Sequence, residues 1–106
     1  MKPLIVLTTI GENHDARKFA TALVSRRLAA CVSIVPNVIS VYRWEGKIER
    51  DYEQLFVIKT AEEKVDALRE YLFELHPYQI PEFVVLPIDR IEGPYLEWLT
   101  AAVTEP

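Results

Sequence analysis

The chain has 106 residues, half of them hydrophobic, with 12 Lys and Arg against 16 Asp and Glu and a formal net charge of −4. That length suits one domain, residues 1–106, with a full core, and an acidic chain of pI about 5.2 excludes non-specific nucleic-acid binding. The single cysteine, Cys31, excludes an internal disulfide and fits a reducing cytosol, while the apolar run 4–7 is too short for a secretion signal or a membrane span.

Residues 3–10, PLIVLTTI, are apolar and rich in β-branched types, which predicts a buried central strand. Gly11-Glu12-Asn13 breaks it, and Asn13 is a candidate helix cap. Ala16, Phe19, Ala20, Leu23, Val24 and Leu28 then recur at helical spacing, with Arg26 and Arg27 placed in the last turn, where cations suit the helix dipole. Cys31–Val35 opens a second strand, interrupted by Pro36, which belongs at an edge, a kink or a bulge.

The stretch from Cys31 to Thr60 reads as one long β-hairpin turning at Glu45-Gly46, dense in Val, Ile, Tyr, Trp and Phe on both arms. On the first arm Ile39, Val41 and Arg43 share one face, and Ser40, Tyr42 and Trp44 the other. Each arm of roughly a dozen residues reaches about 40 Å, whereas a domain of about 100 residues spans about 35 Å. The ribbon therefore overhangs its own domain, and its unpaired backbone groups call for other copies of the chain. The return arm ends in Leu55-Phe56-Val57-Ile58, apolar on both faces and so central.

Thr60-Ala61-Glu62-Glu63 fits a capping box for a second helix, with Val65, Leu68, Leu72 and Leu75 as its buried stripe. His76 precedes Pro77 and ends that helix. HPYQIPE, residues 76–82, is a rigid connector; residues 83–88 form a fourth strand with Pro87 at an edge. Gly93-Pro94 opens a last helix whose Tyr95, Leu96, Trp98 and Leu99 need a docking surface. The order βαββαβ plus a C-terminal helix is the ferredoxin-like α+β arrangement, with both helices on one face of an antiparallel sheet.

The chemistry-bearing residues are few. A closed zinc site needs about four convergent N or S ligands; Cys31, His76 and Glu82 show none of the paired spacings, and Cys31 at the mouth of an apolar strand reads as a small buried hydrophobe. No nucleophile motif or glycine-rich phosphate loop is present, which argues against an enzyme. The aromatic pattern of an RNA-recognition sheet is missing too. What remains is a cleft near the strand and connector ends, with Tyr42, Trp44, Lys59, His76, Tyr78, Glu82 and Trp98 as candidate lining. For Lys59 the alternative is a structural ion pair with Glu82 or Glu53, and for the aromatics interface packing.

LAACVSIVPNVISVYRWEGKIE, the IKT ending at Thr60, HPYQIPE and YLEWL together resemble the CutA divalent-cation-tolerance family, over nearly the whole chain and in order. The resemblance implies a tight homotrimer, similar in architecture to PII signalling proteins, with a role in the response to copper and other divalent cations, as a ligand-binding or signalling protein. Copper-binding bacterial members carry a first-strand Cys and a His-His pair; here those positions are Thr8 and Leu75-His76. The matching metal candidates are thus His76 and Glu82, for Cu or Zn, without the soft thiolate that favours copper.

Overall fold

Strand β1 (Pro3–Gly11) alternates buried and half-buried side chains along its whole length, the two-residue period of a strand with one face on a core. The computed structural model describes residues 1–104, continuing with α1 (Ala16–Ser25), β2 (Cys31–Trp44), β3 (Lys47–Ala61), a 3-10 turn (Glu62–Lys64), α2 (Val65–Leu75), β4 (Val84–Pro87) and α3 (Gly93–Thr104). The sheet order is β2-β3-β1-β4 with every neighbouring pair antiparallel, consistent with the predicted ferredoxin-like arrangement.

One face of the sheet is closed by α1 and α2. Val6, Ile10, Phe56 and Ile58 from the strands meet Phe19, Leu23, Leu68 and Leu72 from the helices. Phe19 and Phe56 pack edge to face, with centroids 5.3 Å apart. Burial of side chains of this size contributes about 1.5–3 kcal/mol each. A second cluster of Ala30, Ala61, Leu99 and Val103 seats α3 at the other end. Leu99 and Val103 are its anchors, while Tyr95 and Trp98 stay exposed and lean on each other at 5.3 Å.

Three local expectations are corrected. Asp15, not Asn13, caps α1, its carboxylate accepting the Lys18 N–H at 3.1 Å. The helix ends at Ser25, so Arg26 is its C-cap and Arg27 lies beyond it at φ 58°. The Leu28 N–H reaches back to the Leu23 carbonyl and closes the end, as in a Schellman cap. Thr60 is not an N-cap, because its hydroxyl turns inward and donates to the Leu28 carbonyl at 2.8 Å. β3 therefore runs on to Ala61, and the 3-10 turn precedes α2 without a side-chain cap.

The hairpin forms as expected. Trp44 pairs with Lys47 across Glu45 and Gly46, at φ 48° and 79°, the two positive values of a type I′ turn. Between Val35 and Val38 the β2 register slips, with Asn37 at φ 60° beside Pro36, which has no N–H to lose. This bulge places two β2 residues, Pro36 and Asn37, against Gln54 alone on β3. A one-residue insertion exchanges the faces of a strand, so Ser40, Tyr42 and Trp44 lie on the same side as Cys31 and Ser33. β1 pairs with β3 only as far as Glu53. From Ile39 and Tyr52 outward the ribbon has two strands alone, which draws the molecule out to 45 × 26 × 23 Å.

Candidate functional site

At the root of the ribbon, the sheet face away from α1 and α2 meets the connector 76–82 and leaves a cleft of about 590 Å³. Tyr42 and Trp44 come to it from β2, Asp51 and Glu53 from β3, and Tyr78 and Glu82 from the connector. The bulge brings the two β2 aromatics to the same face as the β3 carboxylates. Without that one-residue slip, Ile39 would point there instead; Val41 borders the cleft as well.

The phenol of Tyr42 donates to Asp51 Oδ2. The phenol of Tyr78 donates to Glu53 Oε2 at 2.6 Å. The bond to Asp51 is the main cause that pushes the Tyr42 pKa up to about 12. Tyr78 is raised as well, first by burial and then by its bond to Glu53. Both phenols are therefore neutral donors at physiological pH. Burial, with Glu53 as a like charge nearby, raises the Glu82 carboxyl above its ordinary value. Glu53 itself is 5 % exposed.

His76 stands behind the cleft and holds it together. β4 covers β1 only between Leu4 and Leu7, and the Thr9 carbonyl further along bonds with His76 Nε2 at 2.7 Å. His76 Nδ1 accepts the Tyr78 N–H at 3.1 Å. Accepting at Nδ1 places the ring proton on Nε2, so the imidazole is neutral and both nitrogens are engaged. Its ring lies 4.7 Å from that of Tyr78 and 6.1 Å from that of Phe19. Burial lowers its pKa. To ligate a metal, His76 must give up one of these two bonds. Among the described residues no three His, Cys, Asp or Glu side chains gather where they could hold a metal ion. The described residues thus do not form a coordination set around His76 and Glu82.

The structure separates the other sequence candidates. Tyr42, Trp44, Tyr78 and Glu82 share the cleft. Lys59 lies at the far end of the same sheet face, with Nζ 3.1 Å from Ser33 Oγ and 3.8 Å from Cys31 Sγ. It turns to those two side chains, not to Glu82 or Glu53. Trp98 projects from α3 beside Tyr95. Asp51 and Glu53 are the acids that sequence reasoning did not assign to the cleft. The signal was the proline inside a strand pattern, which marks a bulge and so changes which β3 residues face the aromatics.

The profile of the CutA1 divalent ion tolerance protein family matches residues 4–102. A CutA homologue of Xenopus laevis is 47% identical over 97 residues, covering 92% of this chain and 64% of that protein's length. The divalent-cation tolerance protein CutA of Thermus thermophilus is 46% identical over 95 residues, covering 90% of this chain and 92% of that protein. The crystal structure of CutA1 from Oryza sativa superposes with a TM-score of 0.94 at 40% identity, covering 100% of this chain and 97% of that one.

Proposed function

The chain belongs to the CutA1 divalent ion tolerance family, and from that membership we propose that it works as a homotrimeric, PII-like ligand-binding protein in the response to divalent cations, copper among them, and not as an enzyme. The observation that carries this reading is the cleft itself. Glu53 and Tyr78 form its floor, and an overhanging ribbon forms one wall, so a neighbouring copy that pairs along the ribbon also closes the site. Occupancy of such a cleft changes how subunits meet, which is how a binding protein signals without chemistry. Cys31 is a free thiol, which fits a reducing compartment such as the cytosol. Among the described residues no helix is long and apolar enough to cross a membrane.

Analytical ultracentrifugation at micromolar concentration tests the assembly. The expected species has three times the 12.2 kDa mass of the chain, and a monomer refutes the reading. A second reading, a Cu or Zn ion held by His76 and Glu82 with water or a neighbour's group, draws support from the Glu82 carboxylate in the cleft. Calorimetric titration of Cu(II) and Zn(II) into wild type and His76→Ala decides it. Binding lost in the variant supports the metal site, and equal weak heats from both remove it.

A further inference from the structure

Glu53 is 5 % exposed, and no Lys, Arg or His of the described residues is hydrogen-bonded to it. Its Oε1 is not among the fully buried atoms that lack a partner, so that oxygen keeps access to the cleft, where a counter-charge would offset the cost of holding a carboxylate in a mostly buried side chain. Here the partner is the neutral Tyr78 phenol on Oε2. No hydrogen bond from the described residues reaches Oε1. The residue lines the cleft, so that oxygen's missing partner can arrive by that route.

The lining shows what kind of partner fits. Asp51, Glu53 and Glu82 contribute three carboxyl groups, and among the described residues no Lys, Arg or His lines the cleft, which argues against an anion. Asp51 and Glu53 each already accept a phenol O–H, and the acids do not converge as a metal set. Tyr42, Trp44 and Tyr78 supply aromatic surface beside the carboxylates. Aromatic faces attract organic cations through the ring quadrupole. A volume of about 590 Å³ falls within the usual range for small-molecule sites, about 300–1,000 Å³.

We propose that the cleft is a site for an organic cation bearing N–H groups, a primary ammonium or a guanidinium, which donates to Glu53 Oε1 and lies against Tyr42, Trp44 and Tyr78. The proposal rests on the reading of this cleft as the ligand site and names the class of ligand. It separates an N–H cation from a metal ion, because only the former brings its own donors to a carboxylate whose other oxygen is already bonded.

Isothermal titration of the intact protein with benzylamine and agmatine, against benzyl alcohol as an uncharged control, tests it. The expected result is saturable binding of the amines at one per chain, at least about tenfold tighter than the alcohol. Glu53→Gln keeps an acceptor for Tyr78 and removes the charge, and it should weaken the amines about tenfold or more. Lys59→Ala, at the far end of the sheet face, should leave them unchanged. Tyr42→Phe is a second variant in case Glu53→Gln fails to fold; it keeps the ring and should retain most of the affinity. Equal affinity for benzylamine and benzyl alcohol overturns the proposal. So does a folded Glu53→Gln protein that binds amines as wild type does, or an absence of amine binding because a basic side chain of a neighbouring copy fills the cleft. If Zn(II) binds in a Glu82-dependent way while amines do not, the ligand class is wrong and the cleft reading stands. If the protein binds neither amine nor metal, both fall.

Discussion

At the scale of single residues, the two sites most open to test are His76 and Thr8. His76 is neutral because burial lowers its pKa below the ordinary 6.5. The unfolded chain regains that ordinary value, so between the folded pKa and 6.5 it binds a proton that the folded chain refuses. Stability therefore rises with pH across that window and falls as pH drops below about 6.5, at less than the limiting ~1.4 kcal/mol per unit. The loss levels off once pH passes below the folded pKa. Glu82 acts with the opposite sign, because its raised carboxyl lets the folded state take up a proton first as pH falls. Urea midpoints from pH 4.5 to 7.5 in a Glu82→Gln background should show the His76 slope, and His76→Gln should flatten it. An unchanged slope would place the titrating group elsewhere. Thr8 offers the complementary case. It is 1 % exposed on the core face of β1, and its Oγ1 has no hydrogen-bond partner among the described residues. A buried hydroxyl without a partner costs about 1–3 kcal/mol. Thr8→Val keeps the shape and removes that group, so it should raise the urea midpoint, by the equivalent of about 1 kcal/mol. A lowered midpoint would mean the hydroxyl has a partner in the assembled protein.

At the scale of elements, the order, the central position of β1 and β3, and the long hairpin were legible because period and turn chemistry act locally. Leu55-Phe56-Val57-Ile58 is apolar on both faces, and the strand that contains it lies between β1 and β2. The turn is the sharpest case. Gly46 sits at φ 79° with nothing within 4 Å of where a Cβ would be, so Gly46→Ala meets a conformational cost alone, about 1–2 kcal/mol. Gly46→Asn, which tolerates that conformation, should recover most of it, and thermal melts of the three proteins check the order. If alanine and glycine melt together, the turn has relaxed to another type. What was not legible depended on distant partners. Thr60-Ala61-Glu62-Glu63 carries a capping-box pattern, yet the Leu28 carbonyl, far away in sequence, takes the Thr60 hydroxyl. The cleft was half legible for the same reason. Tyr42, Trp44, Tyr78 and Glu82 announce themselves as aromatics and a charge near element ends. Lys59 and Trp98 do so equally, and only the register separates them. Asp51 and Glu53 become cleft residues through the slip between Val35 and Val38, whose effect on facing cannot be counted without knowing which strand takes the extra residue.

At the scale of the whole molecule, the ribbon poses a question that one chain does not answer. Its outer face carries Ile39 and Val41 at 61% exposure, Ile48 at 62% and Tyr52 at 59%. Ile39 stands directly opposite Tyr52, and Ile48, opposite Arg43, lies further out on the same face, beyond the Val41–Arg50 pair. A two-stranded ribbon is at best marginally stable alone in water, and an apolar stripe along it marks an interaction surface. β4 adds an edge with Val84, Val85 and Leu86 exposed. Ribbon and edge together are what the proposed trimer has available to bury, with each copy giving its ribbon to a neighbour. The consequence is specific. Ile48→Glu adds a charge to the stripe far from the core formed by α1, α2 and the sheet, so it should break the assembly before it breaks the fold. A carboxylate there stands opposite Arg43, yet taking it out of water at each copy's contact still carries a desolvation cost that such a pair need not repay, which should shift a micromolar sample from trimer toward monomer while far-UV circular dichroism keeps its helical signal. Trp44→Ala acts from the cleft side of the ribbon. Trp44 is 38% exposed in the single chain and is a side chain that the neighbouring copy of the proposed trimer covers; loss of a Trp buried in that way costs about 3–5 kcal/mol, so the change should weaken the trimer in the same way. A trimer that survives both changes with unaltered sedimentation and melting would show that the ribbon faces solvent in the assembled protein, and that the copies meet through some other surface.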